Sequence, residues 1–374
     1  MKFEKYLRMP LVLEKNRMKR AFIGGMLLDQ WQGIPDPSDG NMSEEWLVSD
    51  IEILNADRKP GDGLSKMRLS DGSTAALKEI VSSDPVAFLG REYVEEYGEG
   101  IGVLSRAGDS TVRLVLQAHP DAECARKYYS YKCGKTEAWY IVECRELEGD
   151  RPHVYAGLKP GTSIEKWRAL FDRQDIACML EAMHKVYIKK GDMILIEAGM
   201  PHAMGKGSLF LEVHEPSDYT LRLERNYLPG RTFTDDELHL GAGIENMFKC
   251  ISGRTYTEEE IRGKIIKTPV TTHSEPGVTV SSMVTYEDTP RFKVDRLSVN
   301  GEYRLKSRGI HQIAIAVSGE GIMTGENGSA WVRPGHGIFL PAYFGEIMIT
   351  GRLEMLVCDP PKPESTGAEY AYNR

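Results

Sequence analysis

This sequence predicts a mainly β fold, two related antiparallel barrels or sandwiches with helical insertions, on three observations. Beyond Ile266 nearly every segment is a short run of branched or aromatic residues closed by a turn. Upstream, helix-prone stretches at about 73–98, 163–185 and 234–263 interrupt strand-like ones. Finally, Gly191-Asp192-Met193-Ile194-Leu195-Ile196-Glu197-Ala198 aligns without a gap on Gly335-His336-Gly337-Ile338-Phe339-Leu340-Pro341-Ala342, the kind of internal echo that a duplicated unit leaves.

From Ser73 to about Tyr97, Ala75, Leu77, Ile80 and Val81 form one helical stripe, and Asp84-Pro85 punctuates a second helix. Thr111 to His119 and Ala138 to Glu143 are short, rich in branched or aromatic residues and bounded by turns, so they are predicted strands. Ser163 opens a helical pattern that runs to about His184; Lys190-Gly191-Asp192 then turns the chain into a strand, Met193 to Ile196. A further helical interval, Thr234 to Cys250, has Asp235, Asp236 and Glu237 where a helix dipole is positive. His311 to Val317, Trp331 to Gly335 and Ile338 to Pro341 read as closely spaced strands and turns. The expected division is a unit over 1–265 carrying the insertions, then a second barrel over 266–374.

Composition narrows the function classes. With 41% hydrophobic and 27% charged residues in 374, the chain has the balance of a soluble globular protein and enough apolar side chains for two cores. A net charge of -8 argues against a nucleic-acid partner, which would favour a basic face, but leaves room for a small anionic ligand held by one or two basic groups. The start, Met1-Lys2-Phe3-Glu4-Lys5, leads into no apolar run that would make a secretory signal or a membrane span, so the cytoplasm is the expected compartment. Six cysteines, at 124, 133, 144, 178, 250 and 358, include no Cys-x-x-Cys pair and read as reduced thiols.

Four residues have the chemistry of a metal site. Gln117 and His119 are two apart on a predicted strand and leave the same face. Glu137 begins the next strand signal, and His202 follows the Glu197-Ala198-Gly199-Met200-Pro201 turn. Two imidazoles, a carboxylate and an amide oxygen suit zinc without excluding other first-row divalent ions. The spacing alone also allows a buried, hydrogen-bonded His119 with Gln117 and Glu137 on a solvated rim.

Four segments decide between these readings. Gln117-Ala118-His119-Pro120-Asp121, Gly134-Lys135-Thr136-Glu137-Ala138-Trp139-Tyr140, Ala198-Gly199-Met200-Pro201-His202-Ala203-Met204-Gly205 and Leu211-Glu212-Val213-His214-Glu215-Pro216-Ser217-Asp218 resemble, in order, the signature segments of type I mannose-6-phosphate isomerases of the cupin superfamily. Glu44-Glu45-Trp46-Leu47-Val48-Ser49 is similar to that family's Gly-Glu-x-Trp-x-x-Ser segment, with Ser43 for its glycine. The resemblance implies two cupin-type (jelly-roll) barrels, one zinc ion on Gln117, His119, Glu137 and His202, and functional roles for Lys135, Glu212, Asp218 and Arg222. It implies a small sugar phosphate as substrate and isomerisation between mannose 6-phosphate and fructose 6-phosphate through an enediol. In that chemistry Glu212 or Asp218 acts as base and Arg222 offsets oxyanion charge. Each also has a structural alternative: Lys135 a solvated turn lysine, Glu212 an edge-strand charge, Asp218 a turn cap and Arg222 a surface partner for Glu224.

Three positions depart from the family pattern. Val115 stands where the family has a serine that helps hold phosphate, Ile23-Gly24-Gly25 replaces Trp-Gly-Gly, and Leu223-Glu224-Arg225-Asn226 replaces a tyrosine- and aspartate-rich run. These departures leave an isomerase or epimerase of a different sugar, or a non-catalytic sugar-binding cupin, as the competing readings. Extending the internal alignment sets His311 on Glu137 and Glu346 on His202. Arg304 and Lys306 supply cations where Gln117 and His119 would stand, so a structural second barrel without metal is expected.

Overall fold

The computed structural model describes residues 2–54, 58–228 and 230–363. Its main elements are strands, arranged around two large antiparallel sheets. One runs Ile266–Lys267, Met193–Ile196, Glu137–Cys144, Ser208–His214, Leu104–Ser110, Glu44–Val48, Arg17–Met18. The other runs Leu11–Val12, Gly337–Leu340, Gln312–Gly325, Glu346–Asp359, Lys293–Lys306, Val278–Val284, Val270–Glu275, with Gly328–Val332 paired to Gln312–Gly325 at the side.

The two sheets share a plan down to the residue. Ile196 pairs with Glu137 and Val213 with Ala138 in the first, as Leu340 pairs with Gln312 and Cys358 with Ile313 in the second. Each has a bulge at the same place: Trp46 and Val48 oppose Arg106 and Ser105, and Ser282 and Val284 oppose Asp295 and Val294. A bulge inserts one residue and bends its strand, so its recurrence in register is a specific mark of duplication. Gly191 and Gly335 open the equivalent Met193–Ile196 and Gly337–Leu340 strands with left-handed φ of 87° and 86°. The outermost strands are exchanged: Leu11–Val12, near the start of the chain, edges the C-terminal sheet, while Ile266–Lys267 edges the N-terminal one.

A second sheet of five strands, Met183–Tyr187, His153–Leu158, His202–Met204, Gln117–Ala118 and Leu221–Arg222, closes the N-terminal sandwich. Apolar side chains from both sheets, among them Trp139, Ile141, Ile194, Phe210, Val154 and Met204, fill the space between them. In the C-terminal sandwich the same job falls to three 14-residue strands that fold over themselves. Gly301, Gly351 and Gly321 lie side by side across them, and a row without side chains lets the sheet bend sharply. The outer faces of the two large sheets share one core, in which Leu47, Ala138 and Val213 join Ile313, Phe339 and Leu356. The C-terminal sandwich therefore supports the back of the sheet that carries Glu137.

Several segments differ from the sequence reading. The segment 111–119 is not one strand: only Gln117–Ala118 pairs in a ladder, and residues 111–116 carry the chain between sheets, with Leu114 N–H donating to Met204 O at 2.8 Å. Helices Ile164–Asp172 and Ile176–Glu181 end before Met183–Tyr187, which is a strand along His153–Leu158. The interval from Thr234 holds two helices, Asp235–His239 and Ile244–Lys249, separated at Leu240 and Gly241, which take left-handed φ. Among the described residues, no helix is long and apolar enough to cross a membrane.

The internal alignment was one residue out at His311. Gln312, not His311, takes the position of Glu137, and a slip of one residue turns a side chain to the opposite face. His311 instead enters the shared core, 3.2 Å from Leu89 O and 2.7 Å from Ile101 O, edge-on to Tyr93. Glu346 lies on the surface 3.2 Å from Arg304. Burial pushes the His311 imidazole down to about 4. The unfolded chain takes up this proton near pH 6.5 and the folded one only near 4, so this histidine's contribution to stability is lost as pH falls across that window. The loss is roughly 3 kcal/mol. Urea unfolding from pH 7 to 4 should therefore lose less stability in His311→Phe than in the parent; parallel pH profiles would refute this.

Candidate metal centre

Between the two sheets of the N-terminal sandwich, strand geometry converges side chains far apart in sequence. Gln117 pairs with His202 on one side and with Arg222 on the other, while Glu137 pairs with His214 and Glu212 with Arg106 on the facing sheet. Directly opposed residues in antiparallel strands share a face. Ligand atoms of His119, Glu137 and His202 lie within 4.8 Å of one another, and all three residues are buried. Glu137 approaches His119 Nε2 at 3.3 Å and His202 Nε2 at 3.1 Å, and the Gln117 amide is also 3.1 Å from His202 Nε2.

The imidazoles are fixed from behind. His119 Nδ1 donates to Tyr219 O at 2.8 Å and His202 Nδ1 to Met200 O at 2.9 Å, which leaves both Nε2 lone pairs facing the cluster. Burial, reinforced by Lys135, pushes His119 down to about 4, so the ring is neutral at physiological pH. Glu137 Oε1 has no hydrogen-bond partner although it is enclosed, a costly arrangement unless a cation meets it. Burial would raise the Glu137 carboxyl, but the Lys135 ammonium holds it well below the usual carboxylate range. Neutral inward nitrogens and an open carboxylate oxygen are what a divalent metal requires, so the donor set fits one.

A buried run of charge continues from this cluster. The fully buried Lys135 ammonium reaches His119 Nε2 at 3.2 Å, Glu137 Oε2, and Glu212 Oε1 at 2.9 Å. It is not a solvated turn lysine, and its donors are taken inside the site, so it offers no free point charge to a phosphate. Glu212 lies on an interior strand, not an edge, and receives Arg106 Nε at 2.8 Å and Nη2 at 2.9 Å. Burial raises its carboxyl, with Arg106 and Lys135 opposing. Arg106 also meets Glu44 at 3.3 Å and Asp218 at 3.8 Å, and Asp218 accepts the Leu54 N–H at 2.8 Å. Arg222 donates to Glu237 O at 2.6 Å and lies over the Phe233 ring; Glu224 is paired with Arg113 and not with Arg222.

Sequence reasoning missed Arg106, which ties three carboxylates together, and His214. The His214 Nδ1 donates to Glu215 O at 2.6 Å, and its buried Nε2 faces Glu212 Oε1 at 3.7 Å without a partner. His214 sits inside a recognised segment, but nothing in its spacing marks its face. Arg106 belongs to the strand Leu104–Ser110, whose small and polar residues hid it from a search for apolar runs.

Comparison with known proteins adds the family. The model of the mannose-6-phosphate isomerase cupin domain matches residues 282–360. The probable mannose-6-phosphate isomerase GmuF of Bacillus subtilis is 26% identical over 355 residues, 94% of this chain and 99% of that protein. Mannose-6-phosphate isomerase ManA of the same organism is 27% identical over 265 residues, 70% of this chain and 75% of that one. The chain is a divergent relative of the type I mannose-6-phosphate isomerases. The crystal structure of the mannose 6-phosphate isomerase from Bacillus subtilis shares its fold, with a TM-score of 0.73 at 22% identity, over 94% of this chain and 99% of that one.

The charge run makes a sharp prediction. Arg106→Leu leaves Glu212 and Glu44 buried without their main counter-charge, and the loss of one partner from such a pair costs about 3–5 kcal/mol. The midpoint of urea unfolding should fall accordingly, with Arg106→Lys intermediate because an ammonium cannot make both Glu212 bonds in one plane. A midpoint unchanged in Arg106→Leu would mean that the run is not needed for stability.

Proposed function

We propose that the protein is a metal-dependent aldose-ketose isomerase that interconverts mannose 6-phosphate and fructose 6-phosphate through an enediol. One observation carries the reading: both imidazoles have Nδ1 committed to a carbonyl and Nε2 turned toward Glu137, His119 to the Oε2 that Lys135 holds and His202 to Oε1, which has no hydrogen-bond partner among the described residues. The named relatives support the substrate class. In this reading Gln117, His119, Glu137 and His202 are the metal ligands, and zinc suits their nitrogen and oxygen donors. Lys135 holds Glu137 Oε2, which leaves Oε1 for the ion. When bound there, a divalent metal supplies Lewis acidity toward the sugar oxygens at the carbons that exchange a proton.

The side chains of the chain itself do the rest. Asp218 is the better base of the two carboxylates: its Oδ1 meets Arg20 at 3.7 Å and Arg106 at 3.8 Å, beyond hydrogen-bond range, whereas both Glu212 oxygens accept from cations. Asp218 takes the proton from one carbon and returns it to its neighbour, while the hydroxyl proton passes between the two adjacent sugar oxygens. Arg222, opposite Gln117, offsets charge developing on the enediol oxygens. Glu212 anchors Lys135 and Arg106. With half-buried Val115 offering no hydroxyl, the phosphate falls to Arg231, which lies over the Phe233 ring with Arg222, pairs with Glu237 at 2.6 Å and keeps solvent access. The missing hydroxyl also favours a second reading, in which the sugar is unphosphorylated. Unpaired thiols and the acidic composition are in keeping with a cytoplasmic enzyme.

Elemental analysis of the purified protein should find close to one equivalent of a divalent metal, and His119→Ala or His202→Ala should lose it. No metal in the parent, or full retention in both variants, would sink the site. Turnover of mannose 6-phosphate, fructose 6-phosphate and their unphosphorylated parents should separate the roles. We expect Asp218→Asn and Arg222→Ala to keep the metal and lower kcat by about a hundredfold, and Arg231→Ala to raise KM for the phosphorylated sugar alone. Equal kcat/KM for mannose and mannose 6-phosphate would favour the second reading.

A further inference from the structure

Arg20 enters the N-terminal sandwich just beyond the edge strand Arg17–Met18. Its backbone N–H donates to Asn41 O at 2.8 Å, and its guanidinium lies over the Trp46 ring. The side chain is only 11% exposed. It completes a ring of alternating charge in which Arg20 and Arg106 each meet both Glu44 and Asp218. The contacts are unequal. Arg20 Nε donates to Glu44 Oε1 at 2.7 Å and Arg106 Nη1 meets Glu44 Oε2 at 3.3 Å. Asp218 Oδ1, by contrast, stands 3.7 Å from Arg20 Nη2 and 3.8 Å from Arg106 Nη1, while Oδ2 accepts the Leu54 N–H at 2.8 Å. Glu44 takes the short contacts of the guanidinium groups, so Asp218 Oδ1 lies between two positive charges and is hydrogen-bonded to neither.

We propose that Arg20 is a positioning residue for the isomerisation: balanced against Arg106, it holds the Asp218 carboxylate in place by charge and leaves Oδ1 open to the carbon-bound proton. This rests on the reading of Asp218 as the base. Neutralising Glu44 does not require Arg20, because Glu44 also has Arg106 and accepts Trp46 Nε1–H at 2.7 Å. Arg106 is tied to Glu212 by two hydrogen bonds and stays where it is. Without Arg20 the pull on Asp218 becomes one-sided, and Oδ1 closes the 3.8 Å gap to Arg106. A carboxylate oxygen so capped is both displaced from the substrate and a weaker acceptor of its proton. Displacement of a reacting group by about 1 Å costs as much as a hundredfold in rate.

The test uses the metal-loaded full chain and whichever of the four sugars named above the parent converts best. Arg20→Gln should keep its metal, lose much less of the urea midpoint than Arg106→Leu, and lower kcat by about tenfold to a hundredfold with KM within about twofold. Arg20→Lys, which retains the charge, should recover most of that loss. In an Asp218→Asn background, Arg20→Gln should cost nothing further, since a residue that acts through Asp218 has no effect once the base is gone. A crystal structure of metal-free Arg20→Gln should show Asp218 Oδ1 within hydrogen-bond range of Arg106. The positioning role is overturned if Arg20→Gln loses the metal, if it turns over as the parent does while Asp218→Asn is impaired, or if its loss falls on KM. It is equally overturned if the loss persists in the Asp218→Asn background, if lysine restores no more than glutamine, or if Asp218 has not moved in the crystal. Full turnover by Asp218→Asn, or none of any sugar by the parent, would instead overturn the underlying reading of the site and this proposal with it.

Discussion

Charge balance inside the N-terminal sandwich is the constraint on which the rest depends. Lys135, Arg106 and Arg20 run between Glu137, Glu212, Asp218 and Glu44, all of them largely removed from water. The unanswered oxygen is at Glu137, where two imidazole lone pairs also point. Charges so placed are tolerable only when each is met, because losing one partner costs an amount comparable with the total stability of a domain. The network thus holds the strands in register and directs a cation to one place.

The duplicated architecture makes that register possible. Arg106 reaches Glu212 because their strands pair directly, and Gln117 faces both His202 and Arg222 because its two-residue strand lies between theirs. A polar interior is poor at holding two sheets together. The large sheet is therefore secured from its other face, through the apolar core it shares with the C-terminal sandwich. The two sandwiches have diverged in their interiors while keeping strand order, bulge and turn glycines, since the backbone plan tolerates changes of side chain that a slip in register would not.

Much of the candidate site was legible. Gln117, His119, Glu137 and His202 stood out by residue type, and the segments around them resembled a known family closely enough to select one reading. The structure brings all four together with Lys135 among them and Glu212 beside Lys135; Asp218 is linked to that group through Arg106, and Arg222 by strand pairing with Gln117. Arg106 escaped notice because a polar residue on a small-residue strand carries no periodic signal, and His214 because a strand's inward face is known only once its partners are. The strand over 111–119 was overread for a related reason: a run of branched residues marks extended backbone, but whether it pairs depends on what lies beside it.

The sequence by itself determined the class of the fold, the internal repeat and the identity of the metal-binding candidates, because period, turn residues and ligand chemistry are local properties. Tertiary structure decided everything that depends on which strand lies next to which. It exchanged the edge strands between sheets, gave Gln312 instead of His311 the position of Glu137, and enclosed Lys135 among the ligands. Pairing across long separations is fixed by packing and by the need to neutralise buried charge, and neither is written in the order of residues along a single segment.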